Sequence, residues 1–436
     1  MCETFVFKRA KLPLIAASVL MLLLCCLAPN LTASPLVPGN DDDNHEAKTH
    51  FVDDDKEECP RAGFSTIQSA IDAAAFGDVI KVCPGTYDEQ LKIAKPLTLV
   101  GVKRDGKNLA VVQPSNMVAS AMDTFGFNQA AVILVTETSG VTIKNITVDG
   151  INNGVKCADT EEQFLGLEGI LVLFASAKLD SVVIKNILSA GGCAFGFAID
   201  YQSGDRRAHL TLSDSSIHDY DIAGLFAFGS RNTLHAIGNV ITGLGSTSLG
   251  QLGIQIFSGT TGVIAENIIT NHVFTPCAPE DCAFVSHGIG VFDTADVRIV
   301  RNIVGTANTG IFAGIPIAPV NRVNVLENKV FDSQGLNGIL VSGENNIVKD
   351  NTITNSDNAG IFASSGHNAV RGNTINEAAI GLLVAAGNKL SDNRFFNTAV
   401  VQELFDPAAP LTSSQRALTP SATIRPLLGR RLRNPQ

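Results

Sequence analysis

A chain of 436 residues with 45% apolar and 17% charged residues, 39 glycines and no tryptophan has the balance of a folded, β-rich body and excludes wholesale disorder. Its net charge of −10 argues against nucleic acid as a partner. The same charge disfavours an anionic polysaccharide unless a local basic patch or a bridging cation offsets the repulsion.

Residues 1–33 read as an export signal: Lys8, Arg9 and Lys11 precede an apolar run from Leu12 to Leu27, and small residues end it at Thr32-Ala33. The run is short for a bilayer and stops at Pro29-Asn30, so the mature chain is expected to be secreted, or periplasmic in a Gram-negative cell, with no membrane span. Without that segment 29 basic residues face 41 acidic ones, a net charge of −12. Six cysteines remain, and an even set in an exported protein points to disulfides. The pairing we expect is Cys59–Cys83, Cys157–Cys193 and Cys277–Cys282, among the connectivities that six cysteines allow.

Residues 34–58 carry Asp41-Asp42-Asp43 and Asp53-Asp54-Asp55 with little apolar content and read as an acidic, disordered linker, with calcium binding as the alternative. Order is expected to begin near Cys59. The segment 64–75 places Ile67, Ala70, Ile71 and Ala74 on one helical face and ends at Gly77-Asp78. Strand-like runs 79–82 and 97–100 follow, separated by the turn-like Pro84-Gly85-Thr86-Tyr87.

The pattern Phe64-x-Thr66-Ile67-Gln68-x-Ala70-Ile71, then Gly77-Asp78, Pro84-Gly85-Thr86-Tyr87-x-Glu89 and Leu97-Thr98-Leu99-x-Gly101 resembles the N-terminal region of the pectin-lyase-like superfamily, in its pectinesterase-like and NosD-like branches. The resemblance implies an all-β, right-handed parallel β-helix whose open end is capped by the short helix. It covers about forty residues. It is specific for fold and much less so for activity.

The remaining sequence carries the repeat on its own. A glycine followed by alternating aliphatics begins at Gly169, Gly196, Gly224, Gly253, Gly288, Gly310, Gly338, Gly360 and Gly381. An asparagine precedes a strand-like run at Asn145, Asn186, Asn239, Asn267, Asn302, Asn328, Asn351, Asn373 and Asn393, the last three intervals being 23, 22 and 20 residues, about one minimal coil. Stacked coils would put aliphatics in the lumen and let the asparagines hydrogen-bond along a column. One coil cannot bury its own apolar face, so residues 59–400 read as one cooperative solenoid of about ten coils, expected to be monomeric. The stretch 401–436 reads as a mostly disordered tail, with Arg425, Arg430, Arg431 and Arg433 at its basic end.

Counting each glycine as position 1, positions 2 and 4 should face the lumen and positions 3 and 5 outward. The outward set holds Asp200 and Gln255, but also Leu171, Phe226, Phe228, Phe257, Phe292, Phe312, Leu340 and Phe362, an apolar strip that needs covering loops or a ligand. Long stretches before the repeated strand at 150–168, 243–252 and 270–287 favour a site in the first coils of this wall. At one edge Asp221, Gln251 and His287 could stack about 5 Å apart and act on one ligand. At the other, Asp200, Tyr201, Arg206 and Arg231 could hold or deprotonate a sugar acid, with Asp293 roughly 14 Å away along the axis.

Catalytic segments expected of pectinesterases, Gln-Asp-Thr and Asp-Phe-Ile-Phe-Gly, do not occur in this sequence. Ser286-His287-Gly288 resembles the Gly-His-Gly of polygalacturonases, without that family's Asn-Thr-Asp, Asp-Asp and Arg-Ile-Lys segments. A lyase would need a basic residue and calcium carboxylates, which Asp200, Arg206 and Arg231 supply only loosely. Two functions stand: a protein that binds or processes a polysaccharide on the outer strand face by lyase-, hydrolase- or epimerase-like chemistry, and a non-catalytic extracellular scaffold or adhesin.

Overall fold

The computed structural model describes residues 46–155, 165–189, 195–275 and 286–406. The expected export signal, most of the basic tail, and Cys157, Cys193, Cys277 and Cys282 lie outside the described residues. Parallel pairing dominates. One wall is a sheet of 13 strands that begins with Thr49–Val52, Val79–Val82 and Thr98–Gly101 and ends with Lys389–Ser391. Two further parallel walls run beside it and merge in the strands Thr352–Ala363 and Thr374–Ala385, each of which pairs in both. The lumen between the walls is filled by one continuous cluster of Val, Ile, Leu and Ala side chains. Residues about one coil apart in sequence are thereby axial neighbours.

Strand Thr49–Val52 pairs with Val79–Val82 in register Thr49 to Val79, so ordered structure starts ten residues before Cys59, inside the stretch read as linker. Val52 points into the lumen and supplies the apolar anchor that composition alone hid. Strand Val400–Phe405 likewise extends the walls past residue 400. Cys59 and Cys83 form the expected disulfide.

The short helix spans Ile67–Ala73 and buries Ile67, Ala70 and Ile71 against the first strands. Thr66 is its N-cap, and the Glu89 carboxylate accepts the Ile67 and Gln68 amides at 2.7 and 2.9 Å. Asp78 accepts the amides of Ala75 and Lys48 and faces the His50 ring at 2.7 Å. Tyr87 donates its hydroxyl to the carbonyls of Val52 and Cys83. The motif between Phe64 and Gly101 therefore consists of residues that hold the N-terminal end together, a structural and not a chemical role.

Eight of the nine repeated glycines fall in one column, and Ala198 takes the remaining place. A methyl group on Gly253 would lie 2.3 Å from the carbonyl oxygen of Gly288, and on Gly288, Gly310, Gly338 and Gly360 it would lie 2.7–3.0 Å from the next carbonyl oxygen in the column. Close backbone approach at this bend is what selects glycine.

The asparagines sort differently from the expectation. Asn239, Asn267, Asn302, Asn328, Asn351, Asn373 and Asn393 form a continuous ladder, each side-chain amide donating to the oxygen of the next at 2.8–3.0 Å. Asn145 and Asn186 are not in it: both are turn residues with φ near +55°, and Ile146 and Val182 occupy the ladder positions of their coils. A second ladder, Asn346–Asn368–Asn388, closes the neighbouring corner of the C-terminal coils.

Candidate functional site

The outer face of the wall carrying the repeated glycines is where the chemistry collects. Register gives three outward columns. The first runs Ala131, Glu168, Phe197, Ala223, Leu252, His287; the second Leu134, Leu171, Asp200, Phe226, Gln255, Gly290, Phe312, Leu340, Phe362; the third Leu173, Gln202, Phe228, Phe257, Phe292. From Phe226 onward the face is aromatic, and these rings are all buried, forming a second apolar core. Phe125 packs on Phe228 with ring centroids 4.8 Å apart, and Ile222, Ile315 and Ala318 join the cluster. The Phe strip is thus covered and is not an open groove.

Phe125 comes from a hairpin, residues 121–129, that folds over the N-terminal part of this face. Two glutamines latch it. Gln129 donates its amide to Asp123 at 2.8 Å, and Gln202 accepts both the backbone amide and the hydroxyl of Thr124 while donating to Asp200 at 2.6 Å. Beneath the hairpin three carboxyls meet: Asp123, Glu168 and Asp200. Glu168 and Asp200 stand on neighbouring strands one outward position apart, and each retains a buried oxygen with no hydrogen-bond partner. Burial first, then the charges of Asp200 and Asp123, push Glu168 well above the ordinary carboxyl range; burial, then Asp123, does the same to Asp200. Burial also raises Asp123, against amide donors from Phe125 and Phe127. Both deeper groups are therefore biased towards the protonated form relative to exposed carboxyls.

Of these three carboxyls, sequence reasoning singles out Asp200 and passes over Glu168 and Asp123. The sequence pattern puts Glu168 at the end of a loop; it lies in the strand Leu165–Leu173, where it is the one charge in an otherwise apolar run, and that is the available signal. Asp123 reaches the site through the hairpin, from far away in sequence, and left none.

The two expected clusters do not assemble. Tyr201 points into the lumen, because Ala198 and not Gly196 occupies the glycine column, and the residues after Gly196 are displaced by two. Its burial raises the phenol pKa. Phe197 faces outward for the same reason. Arg206 lies over the Phe174 ring at 4.8 Å, Arg231 is exposed, and no ion pair joins either to Asp200 among the described residues. Asp293 is an exposed turn residue with φ 48°.

At the other edge, Ala223 and Leu252 share the register of His287, so Asp221 and Gln251 sit off its column. Asp221 accepts the amide and hydroxyl of Ser189 at 2.8 and 2.7 Å, and Gln251 bonds Leu244 and the Tyr220 carbonyl. Both are consumed in fastening loops. Gln255 is outward and buried in the second column, between Phe226 and Gly290.

His287 occupies the space that Gly290 leaves open, edge-on to Phe292 and Phe312, with neither ring nitrogen partnered. Burial lowers its pKa to about 3, so it is neutral, and among the described residues its ring nitrogens have no hydrogen-bond partner. Because the unfolded imidazole titrates near 6.5, its contribution to stability is present above that value and is lost as pH falls towards 3. His287→Leu is expected to protect the fold against acid, by about 2 kcal/mol at pH 5 relative to its effect at pH 8. Urea titrations at the two pH values check this, and an equal effect at both would remove the buried neutral imidazole.

No helix among the described residues is long and apolar enough to cross a membrane. No curated protein sequence matches the chain. Residues 266–403 match the family described as periplasmic copper-binding protein (NosD). A solved lacto-N-biosidase from Eubacterium ramulus is similar over 82% of this chain and 67% of its own, at 11% identity and TM-score 0.51. A periplasmic alginate epimerase covers 76% of this chain and 77% of its own at 13% identity and TM-score 0.44. The A-module of a mannuronan C-5 epimerase from Azotobacter vinelandii covers 76% and 94% at 14% identity and TM-score 0.45. With its parallel walls, glycine column and asparagine ladder, the chain has the parallel β-helix fold.

Proposed function

We propose that the protein binds or processes an extracellular polysaccharide on the outer strand face, using the carboxyl pair Glu168 and Asp200. One observation carries the reading: two buried carboxyls, each with an unpartnered oxygen and the Asp200 charge raising Glu168, stand on neighbouring strands of that face beneath the hairpin 121–129, which a glycan would have to displace to reach them. A protonated carboxyl at neutral pH is the form a general acid needs for a glycosidic oxygen, and its neighbour can then serve as base or stabilise the developing positive charge. The lacto-N-biosidase of the same fold supports a glycan as substrate. An exported location, secreted or periplasmic, accords with it.

The test is to incubate the full chain with pectins, alginate and neutral glycans, with and without calcium, following reducing ends, unsaturated products and ester release. Turnover is expected to fall at least about a hundredfold in Asp200→Asn and Glu168→Gln and to survive in His287→Ala. Loss in His287→Ala with activity kept in both acid variants would overturn the assignment. A second reading, the non-catalytic scaffold, is favoured by the complete burial of the Phe strip, and absence of turnover on every glycan would select it.

A further inference from the structure

We infer that Asp53, Asp54 and Asp55 form a calcium site at the N-terminal end of the solenoid. The site does not depend on the carbohydrate reading. One oxygen from each of the three carboxyls lies within 4.8 Å of the others. The decisive feature is Asp53, which is 0% exposed and whose Oδ1 has no hydrogen-bond donor. A buried carboxylate oxygen left without a donor is costly, and a hard cation relieves that cost most directly. No lysine or arginine forms an ion pair with any of the three among the described residues.

The carboxyls are also held in place from outside the cluster. The Cys59 amide donates to Asp53 Oδ2 at 2.7 Å, the Thr86 amide to Asp54 Oδ2 at 3.2 Å, and the Glu57 amide to Asp55 Oδ1 at 2.8 Å. Gly85, at φ 156°, makes room for Asp54: a methyl group there would stand 2.3 Å from its Oδ1. The Cys59–Cys83 disulfide ties the two segments that supply these contacts. Three carboxylates with one uncommitted buried oxygen suit calcium, which accepts irregular oxygen shells, better than magnesium, which demands a near-ideal octahedron.

Tyr87 provides a built-in reporter. Its hydroxyl donates to the carbonyl of Val52, the residue before Asp53, and the chain has only two other tyrosines, Tyr201 and Tyr220, and no tryptophan. Terbium added to the chelator-stripped full chain should give saturable emission excited through tyrosine and displaced by calcium, with an affinity of about 0.1–1 mM for calcium. Asp53→Asn and, as the variant at an exposed position, Asp55→Asn should each weaken calcium at least about tenfold. Tyr87→Phe should lose the emission while calcium still raises its melting temperature. Absence of saturable emission, unchanged affinity in both aspartate variants, or emission persisting in Tyr87→Phe would each overturn the site.

Discussion

Asn302→Ala is expected to destabilise the solenoid by about 3–5 kcal/mol, far beyond an ordinary polar truncation. Asn302 sits fully buried in the ladder. Its Oδ1 accepts the backbone amide and the side-chain amide of Asn267 at 3.0 and 2.9 Å, and its Nδ2 donates to the Ile264 carbonyl and to Asn328 Oδ1 at 2.9 and 3.0 Å. Alanine leaves two donors and a carbonyl in the dry corner without partners, at about 1–3 kcal/mol each before relaxation. Asn393, at the half-buried end of the ladder, makes comparable bonds to Asn373 and Val370, but water can replace them, so Asn393→Ala should cost only about 1 kcal/mol. Urea unfolding followed by far-ultraviolet circular dichroism separates the two, and equal costs would mean that the ladder is not dry.

That ladder also shows where the sequence could be read and where it could not. The interval of 20–23 residues between its last asparagines exposes the repeat, because the C-terminal coils carry no insertions. Upstream, Asn145 and Asn186 imitate the spacing but are turn residues favoured for positive φ, and one-dimensional periodicity cannot tell a residue that bonds along the axis from one that lets the chain turn. The glycine pattern assigns inward and outward positions correctly in every coil where glycine marks the bend. It fails where Ala198 replaces it: Gly196 stands two residues early, and Phe197 and Tyr201 exchange faces.

The site was legible only in its one member on a regular outward position, Asp200. Neighbouring strands bring Glu168 beside it, and the hairpin that contributes Asp123 and Phe125 crosses the face from 78 residues away, as the Thr124 to Gln202 bonds record. Such a return over the surface has no local signature in composition or periodicity. The covering of the Phe strip was unreadable for the same reason, since the strip alone leaves open whether protein or ligand lies on it.

Glu168→Gln is expected to raise stability at pH 7 by about 1–3 kcal/mol while abolishing any acid catalysis at the site. The folded chain holds the protons of Glu168 and Asp200 to higher pH than the unfolded chain does. Their favourable contribution is therefore whole below about pH 4 and is lost as pH rises towards their folded values, at up to about 1.4 kcal/mol per pH unit for each proton released. The amide removes that dependence, so the gap between variant and wild type should be small at pH 4.5 and larger at pH 8. Asp200→Asn should act in the same direction, and the double variant should gain less than the two singles combined, because the Asp200 charge is one cause of the Glu168 cost. His287 works in the opposite sense, destabilising the fold on the acid side, so wild-type stability should peak at mildly acidic pH and both variants should broaden the peak, each on its own flank. Thermal unfolding from pH 4 to 8 reads all three, and a gap between Glu168→Gln and wild type that stays constant with pH would show that Glu168 does not titrate against a buried neighbour.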